Sequence, residues 1–385
     1  MAAISPRVAS DLALASYEIK GPLKKGDKLE LNAETKKHFN FDLSKNVHKG
    51  TSGGFFWRLE TGFALIGQGQ GTIHNQDHVV AFRGTNSLAD ALTDLTCHTT
   101  NSHNGQAVHT GFQRTFASLK LSLYDYFNQT EVKKQQGIVH CVGHSLGGGL
   151  ATLAADWIKT EFNKTVYLYT FGCPRVGKKD FVVHHSARVD KMFRCVHGAD
   201  PVPKVPLWPF YHAPLNGNEY VLSRAQGIDI SAHSMPSGPG YINTANHSSW
   251  DGLYRQAATS ISQRVVLNYN NRLQTTYSTH WADKIAAAIM TIMIDGGATG
   301  VIAGLQVIGT SIGTVYDVMA RTLADIVKIK TEQTEPLRGL LACMLAFAGK
   351  GVSIPIELTV SFIRWVFSVT IGRLQKAARQ AMKQN

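Results

Sequence analysis

Six mostly apolar runs divide the first two hundred residues, at 55–59, 63–67, 78–83, 137–142, 166–171 and 191–196. Each is five or six residues long, too short for a buried helix, and reads as a strand. Helical patterns lie between and around them: residues 8–17, a long stretch from Val108 past Tyr124, and a small-residue-rich stretch from Leu150 to Ile158. Strands that alternate with helices predict a mostly parallel sheet with helices on both faces. Turn residues close several strands: Gly84-Thr85-Asn86, Gly172-Cys173-Pro174 and Ala199-Asp200-Pro201. In such sheets ligands and reactive groups collect at the C-terminal strand ends.

One turn is sharper than the rest. Gly143-His144-Ser145-Leu146-Gly147 joins the strand at 137–142 to the following helix. Strand, G-x-S-x-G, helix is the context of a nucleophile elbow, where a strained turn lifts a serine hydroxyl above the sheet. A serine hydroxyl needs a base to take its proton and an acid to orient that base. In this fold type the acid and then the base follow the serine along the chain. Asp200, just past a strand end and braced by Pro201, is the candidate acid. The histidines after it are His212, His233, His247 and His280. His212 lies in a proline-rich loop and His233 precedes the loop Pro236-Ser237-Gly238-Pro239-Gly240. His247 opens a plausible helix toward Tyr254 and is the preferred base over His233. For a developing oxyanion, the backbone N–H of Leu146 and the N–H and hydroxyl of Thr85 are the candidate donors.

Charge adds a partner class. The 385 residues carry a formal charge of +12, which favours anionic surfaces. No nucleic-acid motif accompanies it, so a phospholipid surface is the preferred reading. The five cysteines, at 97, 141, 173, 195 and 343, form no C-x-x-C pair. Cys141 and Cys195 fall in predicted buried strands, and the set reads as neither a disulfide framework nor a zinc site. No metal or organic cofactor is expected. The first residues lack a basic region followed by an apolar core, so no secretory signal is read and folding in a reducing compartment is expected.

Composition shifts near residue 280, which predicts two parts: 1–280, the α/β part, and 281–385, a helical, Gly-rich apolar module. Residues 285–294 are almost wholly apolar, and 296–316 carry no charge. Gly300 and Gly304 form a G-x-x-x-G, a pattern that lets helices pack closely. The length approaches that of a bilayer span, so membrane-active and packed soluble helices are both open readings. The last stretch, 356–382, reads as a basic amphipathic helix suited to an anionic surface.

Five features in order resemble the class 3 lipases, α/β-hydrolases of the fungal lipase type. They are Val80-Ala81-Phe82-Arg83-Gly84-Thr85, Val108-His109-Thr110-Gly111-Phe112, Gly143-His144-Ser145-Leu146-Gly147-Gly148, Pro174-Arg175-Val176-Gly177 and Asp200-Pro201-Val202-Pro203. The resemblance covers about residues 50–255. It implies an α/β-hydrolase acting on esters of lipids or phospholipids, with Ser145, Asp200 and His247 as the triad and Thr85 as second oxyanion donor. The usual tyrosine after the histidine is absent near His247; Trp250 is the nearby aromatic. The resemblance also implies a lid, for which residues 87–92 are the candidate; a small helix capped by Ser87 is the other reading. A basic lipase without a signal peptide and with an apolar appendage is similar to the lipase effectors that bacteria inject by type VI secretion. That analogy adds the expectation of a neutralising immunity protein.

Overall fold

A computed structural model describes residues 2–19, 29–43, 47–52, 59–84, 98–257, 263–307, 312–351 and 355–384. The strands expected at 55–59, the lid candidate at 87–92 and Thr85 lie wholly or largely outside these residues.

The main sheet has nine strands among the described residues. Five are parallel neighbours: β4 (His78–Phe82), β7 (Ile138–His144), β8 (Thr165–Phe171), β10 (Lys191–His197) and β12 (Asn218–Ser223). Antiparallel strands finish both sides: β3 (Leu59–Gly69), with β1 (Phe39–Asn40) and β2 (Val47–Ser52) on it, and β13 (Arg255–Ala257) against β12. A small second sheet joins β5 (Thr99–Asn101), β6 (Ala107–His109), β9 (Gly177–Lys178) and β11 (Phe210–Tyr211). This is the expected mostly parallel α/β-hydrolase arrangement.

Alternate residues of each central strand feed two cores, as the two-residue repeat of a strand requires. Val139 and Cys141 of β7 face one; Ile138 and Val142 face the other. On the second face lies α1 (Pro6–Ala15), started by the Ser5 hydroxyl, which accepts the Val8 N–H at 3.3 Å, with Pro6 in its first turn. On the first face lie α2 (Thr110–Phe127) and α3 (Leu146–Phe162).

That first core continues without a break into the C-terminal helices: α5 (Thr279–Asp295), α6 (Thr299–Leu305), α7 (Ile312–Ile329), α8 (Thr334–Phe347) and α9 (Val360–Met382), α4 being Lys179–Arg188. Buried Lys178 donates from Nζ to the Leu305 carbonyl at 3.0 Å, and Lys204 pairs with Asp283 at 2.6 Å. The composition change near 280 therefore marks where helices start, and the apolar residues beyond it complete the core begun before it. The stretch at 285–316, open as a membrane span, is not one continuous helix in its described part. The stretch breaks after Asp295, where Gly297 adopts φ +80°, and no helix among the described residues is long and apolar enough to cross a membrane. Gly300 and Gly304 form no packing seam among the described residues, because a Cβ at either would meet none of their atoms within 4 Å. The amphipathic reading of the last helix holds for its apolar side: Ile363, Val366, Phe367, Ile371 and Leu374 are buried in the core.

Among the described residues, eight imidazoles are held below their ordinary range, in each case chiefly by burial; the five most deeply enclosed are His78, pushed down to about 4, His140, His144, His197 and His212. The unfolded chain protonates them near pH 6.5, while the folded chain keeps them neutral. Below pH 6.5 the unfolded state therefore binds more protons, and stability falls with falling pH. Each such imidazole contributes about 1.4 kcal/mol per pH unit until its folded pKa is reached. The urea midpoint is expected to be clearly lower at pH 5 than at pH 7; a flat profile would contradict the buried neutral assignment.

Candidate active site

The elbow is built by close packing. Ser145 has φ 56° and ψ −129°, and its N–H is bonded to the Phe171 carbonyl at 2.8 Å. Such a conformation costs a non-glycine residue about 1–3 kcal/mol, so the surroundings must hold it. A Cβ at Gly143 would lie 2.3 Å from the Gly147 carbonyl oxygen, and one at Gly147 would lie 2.1 Å from the Phe82 oxygen. Strand and helix thus meet at a distance only glycine permits. Ser145 occupies the cap position of α3 without capping it. Its hydroxyl is turned elsewhere.

The partner is His233. Ser145 Oγ lies 2.7 Å from His233 Nε2, and His233 Nδ1 lies 2.8 Å from Asp200 Oδ2. Ser145 is 3% exposed, and Asp200 and His233 are 0% exposed. A carboxylate only accepts, so Nδ1 carries the imidazole proton and Nε2 is free to accept from the serine hydroxyl. The expected His247 is not at this site. It is exposed, its carbonyl accepts the Arg7 N–H at 3.2 Å, and its segment is drawn to the far face of the sheet. There Trp250 packs on Phe193 and donates from Nε1 to the Ile4 carbonyl at 2.8 Å. The segment that looked like a helix start is a single 3₁₀ turn, Trp250–Gly252, serving the α1 side of the core.

His233 ends a 3₁₀ turn, Ile230–His233, that several bonds hold still. Asp229 caps it through the Ser231 N–H at 2.9 Å. His197 Nδ1 donates to the Ala232 carbonyl at 2.7 Å, and His144 Nε2 donates to the His233 carbonyl at 2.8 Å. With its proton on Nε2, His144 accepts at Nδ1 from the Tyr17 hydroxyl, at 2.7 Å. Burial, then the adjacent His233, pushes His144 well below the usual imidazole range, which keeps it neutral in this role.

Asp200 is a fully buried carboxylate and needs donors on both oxygens. Oδ1 accepts the Val202 N–H at 2.8 Å; Oδ2 accepts from His233 and from the Tyr241 hydroxyl, at 2.8 Å. Burial and the Asp200 charge raise Tyr241 well above its ordinary value, so it stays a donor. The sequence reading missed Tyr241, because its only signal is an aromatic eight residues after His233. It also missed Gly172, whose φ is +55° and whose Cβ would lie 2.8 Å from Asp200 Oδ2 and 3.0 Å from His233 Nδ1.

Leu146, the first residue of α3, contributes an N–H from the helix end that has no intrahelical acceptor. Thr85 lies outside the described residues; its neighbour Gly84 packs on Leu146, with a Cβ there 2.8 Å from Leu146 Cβ. Among the described residues, one cluster has ligand atoms close enough for a metal: His74, Asp77 and His140, within 4.8 Å of one another. Its groups already satisfy each other. Asp77 Oδ2 faces His74 Nδ1 at 2.6 Å and His140 Nε2 at 3.2 Å. The Asp77 carboxylate only accepts, so the His140 proton sits on Nε2, and Nδ1 accepts from the Tyr169 hydroxyl, which itself accepts the Ile4 N–H.

Residues 79–210 match the family model described as Lipase (class 3). Over this segment the chain is similar to the class 3 lipases. It is 31% identical over 135 residues to the secreted mono- and diacylglycerol lipase A of Penicillium cyclopium, covering 34% of this chain and 44% of that one. It is 33% identical over 157 residues to a lipase of Rhizopus niveus, covering 38% and 37%. It is 32% identical over 151 residues to the chloroplastic phospholipase A(1) DAD1 of Arabidopsis thaliana, covering 34% of each. The chain thus spans less than half the length of these relatives. A solved lipase of Rhizopus microsporus var. chinensis is 28% identical over 45% of this chain and 60% of that one, with a TM-score of 0.35. The segment matching the class 3 lipase model contains Ser145 and Asp200 and stops before His233.

Gly172→Ala forces a methyl between Asp200 and His233 and is expected to lower stability by about 1–3 kcal/mol, read as a lowered thermal midpoint. His247→Ala removes an exposed ring and is expected to leave the midpoint within the error of wild type. The opposite ranking would contradict the assignment.

Proposed function

We propose that this protein is a serine hydrolase that cleaves carboxylic ester bonds of acylglycerols or phospholipids. The observation that carries the reading is the continuous hydrogen-bonded chain from Ser145 through His233 to Asp200 at the C-terminal ends of parallel strands. The relatives' names, which cover mono- and diacylglycerol lipases and a phospholipase A(1), supply the substrate class. The net charge of +12 supports action at an anionic lipid surface.

Each group has a definite task. Ser145 Oγ attacks the ester carbonyl as its proton passes to His233 Nε2. Asp200 stabilises the imidazolium and keeps it in the reactive orientation. The Leu146 N–H, with Thr85 as second donor, receives the charge that develops on the carbonyl oxygen. His233 then returns the proton to the leaving alcohol, and afterwards takes one from the water that releases the acyl group. With Ser145 only 3% exposed, an ester reaches the hydroxyl after covering atoms move.

Fatty acid released from dioleoylglycerol emulsions and from phosphatidylglycerol vesicles, measured by mass spectrometry, tests the reading. Wild type is expected to release it, Ser145→Ala to release none, and His233→Ala to lose about 10²–10⁴-fold. His247→Ala is expected to retain the wild-type rate. Release that survives Ser145→Ala, or dye leakage from vesicles with no fatty acid from any variant, would overturn it; the latter points to membrane disruption instead.

A further inference from the structure

A cavity of about 540 Å³ lies where the sheet meets α5 and α6. Its size falls in the range of single-ligand sites, about 300–1,000 Å³, and junctions between structural units are where such sites form. None of Ser145, Asp200 and His233 lines it. Its charged lining is Arg175, Lys179, Arg194 and Lys204 against Glu219 and Asp283, four cations and two carboxylates, hence a net +2.

The carboxylates are already engaged. Asp283 accepts from Lys204 Nζ at 2.6 Å and lies 3.5 Å from Arg175 Nη2. Arg175 Nη1 is occupied by the carbonyls of Lys204 and Pro206, at 2.8 and 3.0 Å. Glu219 pairs with Arg194 Nη1 and accepts from Gln256 Nε2 at 3.0 Å. The buried Arg194 Nε–H remains without an acceptor among the described residues. That nitrogen is itself enclosed, but Arg194 lines the cavity with only its Nη1 engaged by a carboxylate, and an anionic group there would pair with the remainder of the fork. His212, also in the lining, adds no charge: burial, then Arg194 and Arg175, push it well below the usual imidazole range.

Part of the remaining wall is aliphatic, beside Tyr211, Asn216, Thr299 and Gln306. Met290 and Ile294 of α5 and Ile302 of α6 face the same space. A polyanion such as a nucleotide would face too few free cations and lose contact with that wall. One negative charge followed by an alkyl chain fits both kinds of lining. We propose that this cavity is a second binding site, for a single-chain anionic amphiphile such as a fatty acid. The site is separate from the reaction proposed at Ser145 and holds whether or not an ester is cleaved there.

The test uses the full chain carrying Ser145→Ala, titrated by calorimetry and by carboxyl-¹³C NMR with laurate below its micellar concentration. Saturable binding of one laurate per chain is expected, with neutral methyl laurate at least tenfold weaker. Dodecyl phosphate in parallel tells a carboxylate head from a phosphate head; tighter binding of either one supports the site. Arg194→Met paired with Glu219→Gln, which leaves no lone buried charge, is expected to weaken binding at least tenfold. Ile302→Trp fills the aliphatic wall and is expected to do the same with the thermal midpoint unchanged. The proposal falls if neither anion binds more tightly than methyl laurate, or if binding is indifferent to both the Arg194/Glu219 pair and Ile302→Trp.

Discussion

The hydrogen bond between His233 Nδ1 and Asp200 Oδ2, formed with both residues fully out of water, sets the demands that the surrounding structure meets. A buried carboxylate is costly unless its oxygens are filled. That demand explains why Tyr241 is driven into the core to donate to Oδ2, and why the backbone turns after Asp200 to present the Val202 N–H to Oδ1. It explains why residue 172 has no side chain, since any Cβ would enter the space between acid and base. The base must stay still as well as bonded, and here His197 and His144 act as neutral donors to the two carbonyls at 232 and 233. Their low basicity, imposed chiefly by burial, is part of the same design.

The C-terminal helices share a core with this arrangement. Thr279 donates to the Gly198 carbonyl, two residues before Asp200, and α9 packs against the turn that carries His233. The apolar surface that suggests a bilayer span in the sequence is spent on the same core that supports α2 and α3. Burial within protein and burial within lipid select the same residues, and the break at Gly296-Gly297 interrupts the run.

How much could be read from the sequence depended on the range of the interactions involved. The elbow was legible because its glycines answer to local crowding, within five residues. Asp200 was legible from its place after a strand and before Pro201. The central parallel strands were legible as apolar runs, with ends displaced by a residue or two. β12 was not: Asn218-Glu219-Tyr220-Val221-Leu222-Ser223 has mixed polarity and becomes a strand through pairing with β10, about twenty-five residues earlier in the chain. The choice of base failed for a related reason. His233 and His247 have similar local surroundings in sequence, a polar loop before a short turn. What separates them is long-range: Trp250 is claimed by Phe193 and Ile4 on one face, while the carbonyls around His233 are claimed by His144 and His197 at the strand ends. A preference for a helix start as a rigid mount pointed to the wrong loop, because rigidity here comes from imidazole-to-carbonyl bonds that no local pattern announces.

Covalent labelling with diisopropyl fluorophosphate, mapped by peptide mass spectrometry, tests most directly whether His233 activates Ser145. Phosphorylation of Ser145 is expected in wild type and in His247→Ala, and is expected to vanish in His233→Ala. Labelling of Ser145 that persists without His233, or disappears without His247, would contradict the account.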